Sequence, residues 1–510
     1  MVRSSVYYRN TQYLSDIIRK LEGKESMQSK SNRQIRLSNQ EEEIMTYAKI
    51  KNAQDIMSHG QVDAKANVLT LVDKVLQKLD ARKRLNEMMH REDNKLIIGR
   101  RSYDLAKFEN IYAFSSGKAG NHIARAFEDI LGDFLTLGIT IIKIKDDEDD
   151  YKKTEIYIGG HPLPNEEGIQ GCQRMIEVAE KMGPNDLLLL GLTGGCSALM
   201  GYPVKGTTLE DLKDATDVML KAGMWVMDIN DIRGHLSRMS RGRLGKHIKG
   251  AKILCFEIWD AVGLDDITDY SEPVPIMGTP VGYDTTTFED IKKIIHKYGI
   301  EEKLPKNIVN YLLNYDPAEE TPKEITNDVD YYIINTLPDS CRAALEVAKE
   351  MGIETYVLTT YAEGESKDYG TFMATLAKEI IKNNRPFKTP CFVISAGETT
   401  TYIDDNSTIK GHGGPSQEMT TAFALTADGL KNTCLLSIDS EGTDGITPVA
   451  GGITDGTSLG VALKKGLDLR LALAEHSTYE ALSEMGDTVL TGNTGTNLCD
   501  FNVLYVGEQE

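Results

Sequence analysis

The sequence lacks several features that would place the chain in common classes of protein. No apolar stretch reaches the roughly 18–20 residues that a membrane-spanning helix needs. The seven cysteines stand singly, without the close pairs of a zinc site or a disulfide framework. Residues 1–23 contain no apolar segment followed by a cleavage site, so we expect no secretory signal. These absences favour a protein of the cytoplasm with reduced thiols.

Positive charge is also scarce. The chain has 57 Lys and Arg against 77 Asp and Glu, a formal net charge of -20. This balance argues against nucleic acid or an anionic membrane as the main partner. If the protein binds phosphate, a few local Lys and Arg side chains and helix N-termini must supply the positive potential.

Length and pattern predict an α/β protein with two α/β domains. At 510 residues the chain is too long for one ordinary core. From Ile111 onward, short apolar runs alternate with Gly-containing turns and helical spacing, which is typical of a Rossmann-like parallel sheet. We divide the chain into a polar helical N-terminal extension that packs on or leads into the first domain (1–110), a Rossmann-like domain (111–310) and a C-terminal α/β domain (325–510). Prolines mark the junction before residue 325: Pro305, Pro317 and Pro322.

The C-terminal domain carries Gly-and-polar clusters, several of which directly follow a short apolar run. They are Ala396 to Thr400, Gly411 to Glu418, Gly442 to Gly445, Gly451-Gly452 and Thr491 to Asn497. In open α/β sheets, ligands bind beyond the carboxyl ends of the strands. Glycine lets the backbone approach a ligand and direct N–H groups at an anion. The pattern predicts a small, polar, anionic substrate and a nucleotide.

The Rossmann-like domain holds candidates of the same kind. Lys118 follows Gly117 at a strand-to-helix turn, where it can reach a phosphate or remain a solvated loop lysine. Ser115-Ser116-Gly117-Lys118 is not a Walker A loop, because the upstream Gly and the following Ser or Thr are missing. The turn Gly194-Gly195-Cys196-Ser197 resembles an anion cradle, although glycines also occur at such turns for steric reasons alone.

Charged groups follow. Arg233 and His235 lie in the dense polar run Asn230 to Arg238, which reads either as an anion site or as a salt-bridged helix face. Asp260, after a predicted strand, suits Mg²⁺ or general-base chemistry but also helix capping. Glu398 and Asp444 carry the same ambiguity. The acidic run Asp146 to Asp150 is expected to be a solvated loop.

A series of short motifs then appears in a defined order. They are Gly117-Lys118-Ala119, Gly160 to Glu166, Gly194 to Leu199, Asn230 to Ser237, Asp284 to Phe288, Glu320 to Lys323, Gly397 to Thr400, Gly413-Gly414 with Gln417-Glu418, Gly442 to Gly445, and Thr491-Gly492 with Thr494 to Asn497. From about Ile111 to the end, this order resembles that of the glycerate 2-kinases, the class II glycerate kinases whose C-terminal part is called the MOFRL domain.

The resemblance implies phosphoryl transfer from ATP to D-glycerate, with Mg²⁺, in a cleft between two α/β domains, giving 2-phosphoglycerate. It assigns Lys118 to the transferred phosphoryl charge, and Arg233 and His235 to the acid. It assigns Asp260 or Asp444 to Mg²⁺ or to the hydroxyl proton. An anionic group would be held by Gly194, Gly195 and Ser197, with Asn230, Glu398, Gly413 and Gly414 as further binding residues. Relatives are also labelled hydroxypyruvate reductase, but no Gly-x-Gly-x-x-Gly fingerprint supports a reductase here.

The chain departs from the family pattern at several positions. Pro415 stands where the family has an active-site Arg, and it neither restores the charge nor donates an N–H. Arg241 or Arg243 is a candidate to restore that charge. These departures keep two alternatives open: a kinase of another sugar acid such as a tetronate, and a non-catalytic sensor of a sugar acid or nucleotide. Self-association through residues 1–110 is also left open.

Overall fold

Two six-stranded sheets with helices packed against them organise the protein. The structure, a computed structural model, describes residues 47–146, 149–263, 267, 269–275, 279–325, 327–403 and 409–509. Residues 49–510 form one compact unit, and residues 1–48 form another, of which only Tyr47 and Ala48 are described. Expectations for residues 1–46 therefore lie outside the described residues.

The first described elements are helical. They are α1 (Ala53–Ile56), α2 (Val62–Leu79) and α3 (Ala81–Met88). In the sequence, Val68, Leu69, Val72, Val75 and Leu76 recur at helical spacing, which predicts a helix in this stretch. Helix α2 confirms that prediction, since all five side chains are buried. An antiparallel meander follows: β1 (Met89–Glu92), β2 (Lys95–Ile98) and β3 (Arg101–Asp104).

The first large sheet is parallel throughout, as the strand–turn–helix rhythm predicts. In chain order its elements are β4 (Asn110–Gly117), α4 (Gly120–Leu131), β5 (Leu137–Ile142), β6 (Thr154–Ile158), α5 (Glu166–Ala179), β7 (Asp186–Leu192), α6 (Cys196–Leu199), α7 (Leu209–Lys221), α8 (Val226–His235), α9 (Arg243–His247), β8 (Lys252–Trp259), α10 (Phe288–Tyr298), α11 (Lys306–Leu313) and β9 (Val329–Thr336). The strands lie in the order β6-β5-β4-β7-β8-β9. Sequence order reverses at β4 and β7, which is where ligands bind in doubly wound sheets.

The second sheet is mixed. Its elements are α12 (Leu337–Met351), β10 (Glu354–Glu365), α13 (Ser366–Asn383), β11 (Cys391–Thr400), α14 (Pro415–Thr426), β12 (Thr433–Asp439), β13 (Gly451–Asp455), α15 (Ser458–Lys464), α16 (Leu469–Ala474), α17 (Thr478–Met485), β14 (Thr488–Val489) and β15 (Asp500–Val506). The order is β10-β11-β15-β12-β13-β14, and only β10 and β11 run parallel. Among the described residues, no helix has both the length and the apolar character needed to cross a membrane.

The elements near the junction of the two sheets fall differently from the division drawn on sequence. Strand β9, which we assigned to the C-terminal domain, pairs with β8 at the edge of the first sheet. Helix α2, which we assigned to an extension packed on or leading into the first domain, packs on α12, β12 and β15 of the second sheet. Composition separates polar from apolar segments, but it does not show which sheet a strand or helix joins.

A buried lysine fixes α2 on the second sheet. The Lys65 side chain is fully buried, and its Nζ lies 2.7 Å from Oδ1 of Asp487 and 3.9 Å from Oδ2 of Asp455. His59 approaches the same ammonium group, with its Nε2 at 3.2 Å. A charge buried in this way stays stable only while its partners remain in place.

We predict that Lys65→Met lowers the free energy of unfolding by about 3–5 kcal/mol, because it leaves Asp487 buried without its cation. Urea denaturation followed by circular dichroism measures the loss. The matched control is Lys74→Met on the exposed face of the same helix. Equal losses in the two variants would show that the buried ion pair adds nothing.

Candidate functional site

Five consecutive strands of the parallel sheet end at one edge, and a polar group follows each end. Lys118 comes after β4, Lys143 after β5, His161 after β6, Gly194-Gly195 after β7 and Asp260 after β8. The carboxyl ends of parallel strands lie side by side, so the fold gathers residues that are far apart in sequence. The second sheet adds groups from its own strand ends to the same place.

The turns after β4 and β7 are pressed together, which explains their glycines. Lys118 N donates to the carbonyl of Gly194 at 2.9 Å. Gly117 has φ +128°, and a Cβ there would lie 2.1 Å from Oγ1 of Thr193. A Cβ at Gly194 would lie 1.7 Å from Oδ2 of Asp260. These glycines are therefore required sterically, and the same contacts bring Lys118 and Asp260 to one point.

A cavity of about 310 Å³ opens at this edge. Six of the residues predicted from the sequence line it: Gly194, Gly195, Ser197, Asn230, Arg233 and Asp260. Cys196, which the sequence analysis named only as part of the turn that resembles an anion cradle, also lines it, and the remaining lining residues were not among the candidates: His161, Pro162, Thr193, Ala198 and Glu257. Lys118 lies against Gly195 beside the cavity.

The cavity is positively charged on one side. Arg233 lines it, and the Arg233 side chain makes no hydrogen bond or ion pair with any described residue. Burial lowers the pKa of His161 to about 4, helped by the cations Lys118, Lys143 and Arg233. The imidazole is therefore neutral at pH 7 and can donate or accept a hydrogen bond. A half-buried guanidinium without a carboxylate partner, next to two lysines, is suited to an anionic ligand.

Lys118 is held by carboxylates from both sheets. Its Nζ lies 3.2 Å from Oε1 of Glu441, which follows β12. Burial by itself would lower the pKa of Lys118, but Asp439, Glu441 and Asp260 outweigh it and hold the pKa above its ordinary value. Lys118 therefore stays charged at neutral pH.

Lys143 makes a parallel connection between the sheets. Its Nζ lies 3.2 Å from the same Glu441 Oε1 and donates to Oγ1 of Thr443 at 2.7 Å. Two lysines from the first sheet thus share one carboxylate of the second.

Asp260 is held by the loop that precedes β15. Nδ2 of Asn497 donates to Oδ2 of Asp260 at 2.7 Å. Burial raises the pKa of Asp260 above its ordinary value, although Lys118 opposes the shift. Burial likewise raises the pKa of Glu398, with Asp260 adding to it and Lys118 opposing it. Asp260 and Glu398, both predicted candidates, therefore interact across the cleft.

Asp444, Gly413 and Gly414 lie in a different position, at the start of α14. The Asp444 carboxylate accepts from the backbone N of Ser416 at 3.2 Å and of Gln417 at 2.9 Å, and from Nε2 of Gln417 at 2.9 Å. Gly414 is the N-cap of that helix and lies against Asp444. Burial raises the pKa of Asp444 to about 7. These contacts make Asp444 a residue that fixes the helix start.

His235 is fully buried and does not line the cavity. Its Nδ1 lies 3.1 Å from the carbonyl of Asp231, and its Nε2 lies 3.4 Å from Oε1 of Glu320. Arg241 pairs with Asp231 and Asp284, at 2.6 and 2.8 Å.

Arg243 is likewise engaged within the first domain. It is buried and donates to carbonyls of His235, Ser237 and Glu319. Both guanidinium groups are therefore already engaged by neighbouring groups, which leaves neither free to replace the charge missing at Pro415.

Mg²⁺ needs few protein ligands, because it is usually bound by one or two carboxylates together with phosphate and water. No group of three or more metal-binding side chains converges within the described ranges. Asp260 has one oxygen not engaged by Asn497 and fits the role of such a ligand. Asp444 fits less well, because the start of α14 already occupies its carboxylate.

Four site residues escaped the sequence analysis as candidates: Lys143, His161, Glu441 and Asn497. Position in the sequence could have pointed to two of them, because each follows the end of a strand. Lys143 directly follows β5, which pairs with β4, and Glu441 follows β12. His161 and Asn497 stood only within recognised motifs.

The acidic run after β5 is more than a solvated loop. Nδ2 of Asn121 donates to Asp146 at 2.7 Å and to Asp149 at 3.1 Å, and Asp149 is buried. Asp147 and Glu148 lie outside the described residues.

Comparisons with known proteins agree with this architecture. The model of the family described as Domain of unknown function (DUF4147) matches residues 67–313, and that of the MOFRL family matches residues 391–500. The glycerate 2-kinase of Pyrococcus horikoshii is 34% identical, over 84% of this chain and 94% of that protein. The D-glycerate 2-kinase of Thermotoga maritima is 33% identical, over 77% of this chain and 89% of that protein.

Solved structures give the same result. The crystal structure of glycerate kinase from Thermotoga maritima aligns with a TM-score of 0.69 and 29% identity, over 86% of this chain and 97% of that one. The fold and the paired sheets thus define a two-domain α/β protein of the MOFRL type. The chain belongs to the glycerate 2-kinase family.

His122 joins three segments beside the site. Its Nδ1 lies 3.0 Å from Oδ2 of Asp80, and its Nε2 lies 3.5 Å from Oδ2 of Asp146. Burial alone would lower the pKa of His122, but hydrogen bonds to Asp146 and Asp80 raise it to about 9.

Because this folded-state pKa exceeds the unfolded value of 6.5, the stabilisation is complete below pH 6.5. It is lost as the pH rises through about 9. We predict that His122→Asn lowers the free energy of unfolding by about 1–3 kcal/mol at pH 6 and by much less at pH 10. Urea denaturation at both values measures this. The control is His296→Asn, at an exposed ring on α10. A loss of equal size at both pH values would contradict the prediction.

Proposed function

We propose that the protein transfers the γ-phosphoryl group of ATP to O2 of D-glycerate, giving 2-phosphoglycerate, with Mg²⁺ as cofactor. The observation that carries the proposal is the position of Lys118, beside an anion-sized cavity with the unpaired Arg233 at its wall. Phosphoryl transfer depends mainly on positioning and on charge neutralisation, and these groups supply both. Family membership supports the same reaction.

The site residues divide between the phosphoryl donor, ATP, and the phosphoryl acceptor, the acid. Gly194, Gly195 and Ser197 present backbone and hydroxyl groups to an anion in the cavity. Lys118 neutralises the transferred group, and Arg233 and Asn230 hold an anionic group beside it. His235, which lies behind the cavity wall, positions α8 and hence Arg233 and does not touch the acid.

Asp260 is our choice for the base that accepts the hydroxyl proton, because it lines the cavity and Asp444 does not. Its free carboxylate oxygen and the donor's phosphates are also the ligands that Mg²⁺ would use. When bound, Mg²⁺ would neutralise charge on the transferred phosphoryl group. Glu398 lies near enough to Asp260 and Lys118 to influence both charges.

One departure favours a second candidate, a sensor that binds a sugar acid or nucleotide without catalysis. Pro415 begins α14 where the family has Arg, and Arg241 and Arg243 are engaged elsewhere. Lys143 supplies a second cation at the cleft, which is why we place the kinase first.

We predict that the protein forms ADP from ATP and D-glycerate with Mg²⁺, and that Lys118→Met lowers kcat/KM by about 100- to 1,000-fold, because the transferred charge loses its cation. A coupled ADP assay with chromatography of the phosphorylated acid measures both effects. The control is Lys293→Met, at an exposed lysine on α10.

The same assay, repeated with four- to six-carbon aldonic acids in place of glycerate, tests the two alternatives, a kinase of another sugar acid and a non-catalytic sensor. Turnover only with a longer acid would show that this acid, and not glycerate, is the substrate. The sensor would replace the kinase if no acid is phosphorylated while glycerate still raises the melting temperature.

We also predict that Asp260→Asn lowers kcat by about 100- to 10,000-fold, because the hydroxyl proton loses its acceptor. Since a base must be ionised to act, wild-type kcat should rise with pH through the raised pKa of Asp260, and the variant should lack that rise. Asp217→Asn, at an exposed aspartate of α7, is the control. An unchanged pH profile in Asp260→Asn would exclude Asp260 as the base.

A further inference from the structure

A second cavity adjoins the one that contains Arg233. Its volume is about 250 Å³, and both cavities are lined by Cys196, Ser197, Asn230, Arg233 and Glu257. The two cavities therefore adjoin at these residues, which is the arrangement that a ligand longer than glycerate would need in order to extend from one space into the other. Arg233 lies where the two cavities meet.

The inner end of this second cavity is apolar. Buried side chains from α7, from the residue that follows α8 and from the loop after α6 line it, namely Met200, Leu212, Met219 and Leu236. A polyol tail would leave its hydroxyl groups unpaired against such a surface, which is costly. A flat ring with apolar faces would bury well there.

Polar groups without partners border the same space. The Thr279 side chain is 4% exposed, and its Oγ1 has no hydrogen-bond partner among the described residues. The side chains of Asn230 and Ser240 also line the cavity and make no hydrogen bond with any described residue. A buried hydroxyl left unpaired costs free energy, so it indicates a ligand that pairs with it. Apolar walls with a few such groups are typical of small-molecule sites.

Charge fixes the direction of the ligand. Arg233 lines both cavities, but Lys118 lies beside the first, against Gly195, and Arg241, which lines the second, is neutralised by Asp231 and Asp284. The phosphate end therefore belongs in the first cavity and the uncharged end in the second.

We propose that the second cavity binds the adenosine part of the nucleotide donor. The base lies among Met200, Leu212, Met219 and Leu236, its polar edge faces Thr279, and the phosphates pass Arg233 toward Lys118. This inference rests on the proposed kinase function. It moves Arg233 from the acid, where the family resemblance placed it, to the nucleotide phosphates.

The test fills the cavity and measures nucleotide and phosphate binding separately. Met219→Trp occupies the apolar end, and Met224→Trp is the control, since Met224 is buried in the same helical cluster but does not line the cavity. Calorimetry with ATP and with inorganic tripolyphosphate gives two affinities that need no turnover. We expect Met219→Trp to weaken ATP at least about tenfold and leave tripolyphosphate and the KM for the acid unchanged.

A second variant keeps the inference testable if Met219→Trp does not fold. Thr279→Val keeps the shape of the side chain and removes the unpaired hydroxyl, and we expect it to weaken ATP several-fold with tripolyphosphate unchanged. A rise in the KM for the acid with ATP binding intact would overturn the inference in favour of a substrate tail. Unchanged ATP binding in both variants would also overturn it. If the wild-type protein binds ATP but transfers no phosphate, the proposed function fails while the nucleotide site stands.

Discussion

The ion pairs of Lys118 are the interaction on which the rest of the site depends. Asp260 comes from the first sheet, and Asp439 and Glu441 come from the second. Burial raises the pKa of Asp439 far above its ordinary value and that of Asp500 to about 7. Repulsion between neighbouring carboxylates adds to both shifts. Lys118, with Lys143 beside it, offsets this repulsion where the two sheets meet.

The same ion pairs explain how a strongly acidic chain can bind an anionic ligand. Lys118, Lys143 and Arg233 bring three positive charges together at the site, although the chain as a whole has a formal net charge of -20. Glu441 holds both lysines in the structure described here, so an entering phosphate must compete with a carboxylate that is already in place. The lysines are thereby positioned before the ligand arrives, and less rearrangement accompanies binding.

The residues before the first large sheet also contribute to the site. Helix α2 packs on the second sheet, and α3 packs on α4 and β9 of the first. Lys49 reaches Asp80 and the carbonyl of Thr494, while His122 contacts Asp80 and Asp146. Nδ2 of Asn493 donates to Asn121. The loop that carries Asn497, and hence the partner of Asp260, is therefore held from the first sheet side as well as from its own strand.

The sequence by itself determined the kind of fold, many of its elements and the family. Apolar runs predicted β4, β7, β8 and β9, of which β4 and β7 are closed by Gly-containing turns, and apolar spacing predicted α2, because strand and helix periodicity are local properties of the chain. Six of the residues predicted from the sequence line one cavity in the structure. Only the tertiary structure decided that β9 joins the first sheet and that Asp444 caps α14. It also decided that His235 lies behind the cavity wall and that Lys143 and Glu441 meet Lys118. These outcomes depend on contacts between residues up to several hundred positions apart, and no local pattern records which of two buried carboxylates faces the cavity and which accepts hydrogen bonds from a helix.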